Sequence, residues 1–108
     1  MTRYLLEIRS KALAGREDEY DAWYESTHRH DVLIVPGFLA CTRYETTDAR
    51  QGTREFVALY EVETDDPPAL LERLFAAEAD MAMTDAIDPA SARFQFLKPV
   101  GAERSIAA

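Results

Sequence analysis

One cysteine, two histidines, four glycines and only twelve basic residues against twenty acidic ones are the scarcities of this 108-residue sequence. Cys41, being alone, cannot close an internal disulfide, and it suits a reducing compartment. The four glycines are not clustered, so no Gly-rich phosphate cradle exists for a nicotinamide, a flavin or a nucleotide. A net charge of −8 opposes both a phosphate backbone and an anionic membrane surface, because each requires a cationic footprint. Nucleic acid is therefore not expected as a partner. No apolar run approaches the roughly 18 residues of a membrane span, and charge interrupts the opening stretch from Met1 to Arg9. Neither a signal peptide nor a spanning helix is expected, and the chain reads as cytoplasmic.

What is present is an ordinary globular balance, 47% apolar with 30% charged, in a length that supports one core and not two. Residues 1–100 read as one domain and 101–108 as a flexible C-terminal tail. From Arg3 to Arg9 the residues alternate, with Tyr4, Leu6 and Ile8 on one face and Leu5, Glu7 and Arg9 on the other, which predicts a first strand. Acidic Glu17, Asp18, Glu19 and Asp21 precede Arg29 and the histidines, the polarity a helix dipole favours, and predict a helix over 16–31. Pro36-Gly37 marks a turn into a strand over 38–47, with Phe38, Ala40, Thr42 and Tyr44 on one side and Arg43 on the other. A hairpin loop over Asp48 to Thr53 leads to a third strand over 54–63, whose faces carry Phe56, Ala58, Tyr60 and Val62 against Val57, Leu59 and Glu61.

Asp66-Pro67-Pro68 predicts a capped helix start, and Leu70, Leu71, Leu74 and Phe75 recur at helical spacing over 67–79. Met81, Met83 and Ile87 suggest a further short helical piece before Pro89, with a fourth strand over 93–97. The order β-α-β-β-α-β is that of a ferredoxin-like α+β fold, a four-stranded antiparallel sheet with helices on one face. The other face then presents Leu5, Leu39, Cys41, Val57, Leu59 and Leu97, which a second copy of the chain would cover. Glu7, Glu61 and Arg93 are expected there as charges that pair across such a homodimer interface.

On an ideal helix, Tyr20, Trp23, Tyr24, Thr27 and Asp31 share a face, with His28 and His30 on opposite flanks. A face that is aromatic and polar together suits a ligand cavity better than a plain core, so Tyr20, Trp23, Tyr24 and Thr27 are candidate substrate-binding residues. His28 stands three residues from Asp31, close enough for the carboxylate to orient the imidazole as a general base. The competing expectation is that His28, Arg29 and His30 simply supply positive charge at a helix end. Tyr44 and Tyr60, on adjacent strands, are candidate hydrogen-bond donors to a substrate oxygen or an enolate. No metal site is expected, because the two histidines diverge and no ligand spacing supports them. Cys41 reads as a buried, inert thiol.

The run from Tyr20 to Phe38, with its Trp-Tyr-x3-His-x7-Pro-Gly-Phe pattern, followed by Tyr44 and by Phe56-Val-Ala-Leu-Tyr-Glu-Val, resembles the EthD-like branch of the dimeric α+β barrel superfamily. The resemblance spans residues 3 to 98 in element order, with Arg29-His30 departing from the apolar residue and proline common there. It implies a homodimer whose sheets face each other as a barrel, and a pocket between sheet and helices in each subunit. The expectation is a cofactor-independent enzyme in which His28 acts as base on a small hydrophobic carbonyl, phenolic or polyketide-like compound, in cyclase, isomerase or lyase chemistry. The alternatives are a cofactor-independent monooxygenase and a non-catalytic protein that binds a small aromatic ligand.

Overall fold

The computed structural model describes residues 1–47 and 54–106. The expected hairpin loop at Asp48 to Thr53 lies outside the described residues. Strand β1 (Thr2–Ala12) is followed by a helical run in three parts: α1 (Glu17–Trp23), a π-helical turn (Tyr24–His28) and α2 (Arg29–Leu33). Backbone angles stay helical through both junctions, so the three form one continuous rod. Strands β2 (Phe38–Glu45) and β3 (Glu55–Thr64), helix α3 (Pro67–Glu78) and strand β4 (Ile87–Leu97) complete the chain. The strands form one antiparallel sheet in the order β2-β3-β1-β4, which is the ferredoxin-like α+β arrangement. No helix among the described residues is long and apolar enough to cross a membrane.

The alternation of β1 and β3 determines which face is the core. Leu6, Ile8, Phe56, Ala58, Tyr60 and Val62 are buried beneath the helices together with Tyr20, Tyr24, Val32, Leu70 and Leu74. Leu5, Glu7 and Arg9 pair with Glu61, Leu59 and Val57 on the opposite face, as their period of two requires. Helix α3 starts where the sequence signals it: the Asp66 carboxylate accepts a hydrogen bond from the Ala69 N–H at 3.2 Å, and Pro67 occupies the first turn, where no donor is needed.

Strand β2 departs from simple alternation. Its pairing with β3 shifts between Phe38 and Ala40, so the residues beyond this bulge turn over by one position. Cys41 and Arg43 consequently point toward the helices, and Tyr44 points to the open face, 52% exposed. This reverses the expected placement of all three.

Strand β4 starts earlier than expected, and the short helix over 81–87 is not formed. Ile87 and Pro89 belong to the strand, and 81–86 is irregular. The reason is a second irregularity. Between the Arg9–Arg93 and Lys11–Asp88 pairs, β1 advances two residues while β4 advances five. Ser91 stitches this bulge to β1, accepting from the Lys11 N–H at 2.8 Å and lying 3.3 Å from the Lys11 carbonyl. A bulge on an edge strand tolerates Pro89, which has no N–H to contribute to a ladder.

Gly37 is the glycine on which the turn into β2 depends. Its φ is +103°, and a Cβ there would stand 2.8 Å from Leu70 Cδ1 and 3.3 Å from the Glu63 carbonyl oxygen. Gly15 also has positive φ but open space around it. Gly37→Ala is therefore expected to destabilise the fold by about 2–4 kcal/mol and Gly15→Ala by only about 1 kcal/mol. Urea unfolding of the two variants checks this, and equal losses would show that the Gly37 contacts relax freely.

Candidate functional site

Tyr20, Trp23 and Tyr24 from the inner face of the first helix come together with His28 through the π-helical turn. Arg29 N–H donates to the Tyr24 carbonyl, five residues back, in place of the usual four. Ser26 Oγ bonds the Ala22 carbonyl at 2.7 Å within the same stretch, a back-bond that favours helix distortion. In a regular helix Trp23 and His28 would diverge by about 140°. With one residue more in the turn, the two rings stack, 4.5 Å between centroids and 18° from parallel. Tyr24 meets the imidazole edge-on at 4.9 Å. His28 moves from a flank, where regular spacing put it, to the inner face, and is 6% exposed.

A cavity of about 250 Å³ opens beside this cluster. Its helical wall is Tyr20, Trp23, Tyr24, His28 and, from the end of α3, Glu78; its strand wall includes Ile8, Ser10, Pro89, Ala92 and Phe94. The bulge in β4 thus builds one side of the cavity. Met83 and Ile87 close another side, and the Trp23 indole N–H holds that irregular segment through the Ala82 carbonyl at 2.7 Å. Trp23 therefore serves two purposes, as the platform for His28 and as the tether of the cavity's covering segment.

The imidazole makes no hydrogen bond among the described residues. Nδ1 is buried without a partner, and Nε2 lies 4.0 Å from Glu78 Oε1, beyond hydrogen-bond reach. Burial pushes the His28 pKa down to about 4, only partly offset by the Asp31 charge, so the ring is neutral at physiological pH. Burial raises the Glu78 carboxyl above its ordinary value. Two groups with opposite charge tendencies are thus both shifted toward their neutral forms.

The phenols form two hydrogen-bonded sets. Tyr20 pairs with Ser10 through a very short contact, and both line the cavity. Tyr24 pairs with Tyr60 at 2.9 Å, and burial raises the pKa of all three tyrosines. Tyr60 is fully buried and lies behind Tyr24, so it reaches the cavity only through that hydroxyl. Its other neighbour is Cys41, whose thiol pKa is raised by burial. Arg43, 9% exposed, holds the first helix to β2 through Asp21 at 2.9 Å and Glu25 at 3.0 Å, with its guanidinium 4.7 Å above the Tyr24 ring.

The expected residues divide accordingly. His28, Tyr20, Trp23 and Tyr24 meet around one cavity. Tyr44 does not, because the β2 bulge turns it to the open face. Asp31 makes no hydrogen bond to His28 and lines a separate groove with Ile34, Val35 and Arg73; it acts on the imidazole only through its charge. Thr27 is not among the cavity residues, and its hydroxyl lies 3.4 Å from Ser26 Oγ. His30 is exposed and lies with Glu25, Arg29 and Cys41 on another side of the helix. No three His, Cys, Asp or Glu side chains converge among the described residues as a metal site would need. Glu78 is the cavity residue that sequence reasoning missed. The signal was present: Leu70, Leu74 and Glu78 stand at successive intervals of four, which sets a carboxylate on the buried stripe of α3.

No family model matches the chain, and no curated protein matches it in sequence. Among solved structures it is similar to a formyltetrahydrofolate deformylase from Pseudomonas putida KT2440, at a TM-score of 0.37 and 12% identity over 90% of this chain and 29% of that one. The chain thus spans less than a third of that protein. A likeness at this level carries no argument about function.

The buried imidazole makes stability depend on pH in a definite direction. An unfolded histidine takes up its proton near pH 6.5, whereas His28 does so near 4. Between those values the unfolded chain holds more protons, so the His28 contribution is fully present above pH 6.5 and is lost as pH falls toward 4. The loss amounts to roughly 3 kcal/mol at its limit. Glu78, shifted upward, acts in the opposite sense as pH rises past the ordinary carboxyl range. Urea unfolding across pH 4 to 7 is expected to give a shallower acid loss for His28→Gln than for wild type, and identical slopes would show that the imidazole is not held neutral.

Proposed function

We propose that the chain is an EthD-like member of the dimeric α+β barrel superfamily and acts as a small enzyme without a cofactor, with His28 as general base on a small hydrophobic carbonyl or phenolic substrate. The observation that carries this reading is the neutral imidazole stacked on Trp23 beside a mainly apolar cavity. A neutral ring is the form that accepts a proton. Once protonated it becomes a cation against an indole face, an attractive contact, with the Glu78 carboxyl 4.0 Å away. The burial that keeps the ring neutral also strengthens every charge interaction formed during proton transfer.

Tyr24 and Tyr20 are the hydroxyls available to a substrate oxygen. Tyr60 can donate to Tyr24, which frees the Tyr24 proton for a developing enolate. Tyr60 is on this reading a positioning residue and not a catalytic one. The chemistry is proton transfer followed by isomerisation, cyclisation or elimination, and the substrate decides which. Activity is expected to need no added metal, flavin or nicotinamide.

The homodimer belongs to the same proposal. The open sheet face carries Leu5, Val57, Leu59 and Leu97, with Leu39 and Tyr44 exposed at 45% and 52%. Two such faces brought together would cover these residues and bring Glu7, Arg9, Glu61 and Arg93 near their copies. Sedimentation at micromolar concentration is expected to give a species of twice the 12.2 kDa chain mass, and a stable monomer would contradict the dimer.

The base is tested by turnover. A thermal-shift screen of small aromatic and enolisable compounds identifies a ligand, and that ligand is then assayed for conversion. His28→Ala is expected to lower turnover by about 10²- to 10⁴-fold while the fold persists. Wild-type turnover in this variant would remove His28 from the mechanism.

A further inference from the structure

His28 Nε2 and Glu78 Oε1 converge on one side of the cavity and do not touch. Their separation is 4.0 Å, too long for a hydrogen bond between them and short enough for one oxygen atom to bond both. An oxygen about 2.8 Å from each would subtend an angle near 90°, within the range an sp² or hydroxyl oxygen accepts. A hydroxyl suits this position because it donates to one group while accepting from the other. The imidazole has no other hydrogen bond, since Nδ1 is buried and unpartnered. Both groups are held by packed elements, Glu78 at the end of α3 and His28 on the Trp23 platform.

The rest of the cavity determines what carries that hydroxyl. Ile8, Met83, Ile87 and Phe94 are apolar walls, and Trp23 has its only N–H occupied by the Ala82 carbonyl. The volume of about 250 Å³ falls below the range of about 300–1,000 Å³ typical of drug-sized ligand sites, which favours one ring over a fused polycycle. We infer that the cavity recognises a monocyclic phenol or cyclic enol whose hydroxyl oxygen bridges His28 Nε2 and Glu78 Oε1, with Glu78 as a ligand-binding residue beside His28. This rests on the functional reading above and narrows it. In proton transfer from such a ligand, the O–H bond breaks, Nε2 gains the proton, and the electron pair stays on the ligand oxygen. That charge is delocalised into the ring, and a protonated Glu78, the form that burial favours, would donate to it.

The probes are p-cresol and toluene, which differ by the hydroxyl, titrated into the full chain by calorimetry and by NMR. Wild-type protein is expected to bind p-cresol about 10- to 100-fold more tightly than toluene, since a site built for a hydroxyl leaves its polar groups unpaired against the analogue. In Glu78→Leu the preference should collapse to within about threefold while toluene binding is kept, and Glu78→Gln should retain part of it. Equal affinity for the two probes in wild type, or no binding of either, would overturn the inference. A preference that survives in Glu78→Leu but is lost in His28→Ala would remove Glu78 and leave His28 as the polar anchor. Survival in both variants would overturn the bridging site and weigh against the His28 reading with it.

Discussion

The stack of His28 on Trp23 is the contact on which the candidate site depends, and it exists only because the first helix carries an extra residue in one turn. Regular geometry would send the two rings to different sides of the helix. The π-helical hydrogen bond from Arg29 to Tyr24 brings them into register, and four further features then follow. The imidazole is buried, its proton affinity falls, Tyr24 is clamped edge-on against it, and the indole N–H is left pointing at Ala82 to close the cavity. A helix with ordinary spacing would have exposed His28 on its flank. The helical distortion is thus a local device with a chemical consequence, as such turns frequently are at functional sites.

A second constraint comes from the sheet. The bulge in β4 carries Pro89 and Ala92 into the cavity wall, and the bulge in β2 swings Arg43 inward. Arg43 then ties Asp21 and Glu25 to the sheet and lies over Tyr24. Two irregularities, the π-helical turn and the β4 bulge, thus bound the cavity, and a third, in β2, braces its Tyr24 wall through Arg43. Each costs regular hydrogen bonding locally and repositions side chains that simple periodicity would have sent elsewhere.

These irregularities also explain what was legible in the sequence. Element order and the inward faces of β1 and β3 followed from alternation alone, and the start of α3 followed from Asp66 and the two prolines. The aromatic and polar character of the first helix singled out Tyr20, Trp23, Tyr24 and His28, which the structure gathers around one cavity. Period-based reasoning failed where the period changes: at Leu39, where the bulge reversed Arg43 and Tyr44, and at Pro89, which reads as the end of a short helical piece and instead sits in an edge bulge of β4. Asp31 was chosen by its three-residue spacing to His28, yet the carboxyl nearest the ring comes from fifty residues further along, at Glu78. Only tertiary packing makes that pairing, although the charge on the buried stripe of α3 marked the position.

The central claim is that His28 is a buried, neutral imidazole beside an open cavity, and its protonation can be observed at the ring itself. Nitrogen-detected NMR of a His30→Asn variant, which leaves one histidine in the chain, follows its two ring nitrogens through a pH titration. The account predicts a neutral ring at pH 7 and protonation only as pH approaches about 4. A midpoint at or above the ordinary histidine value near 6.5 would contradict it.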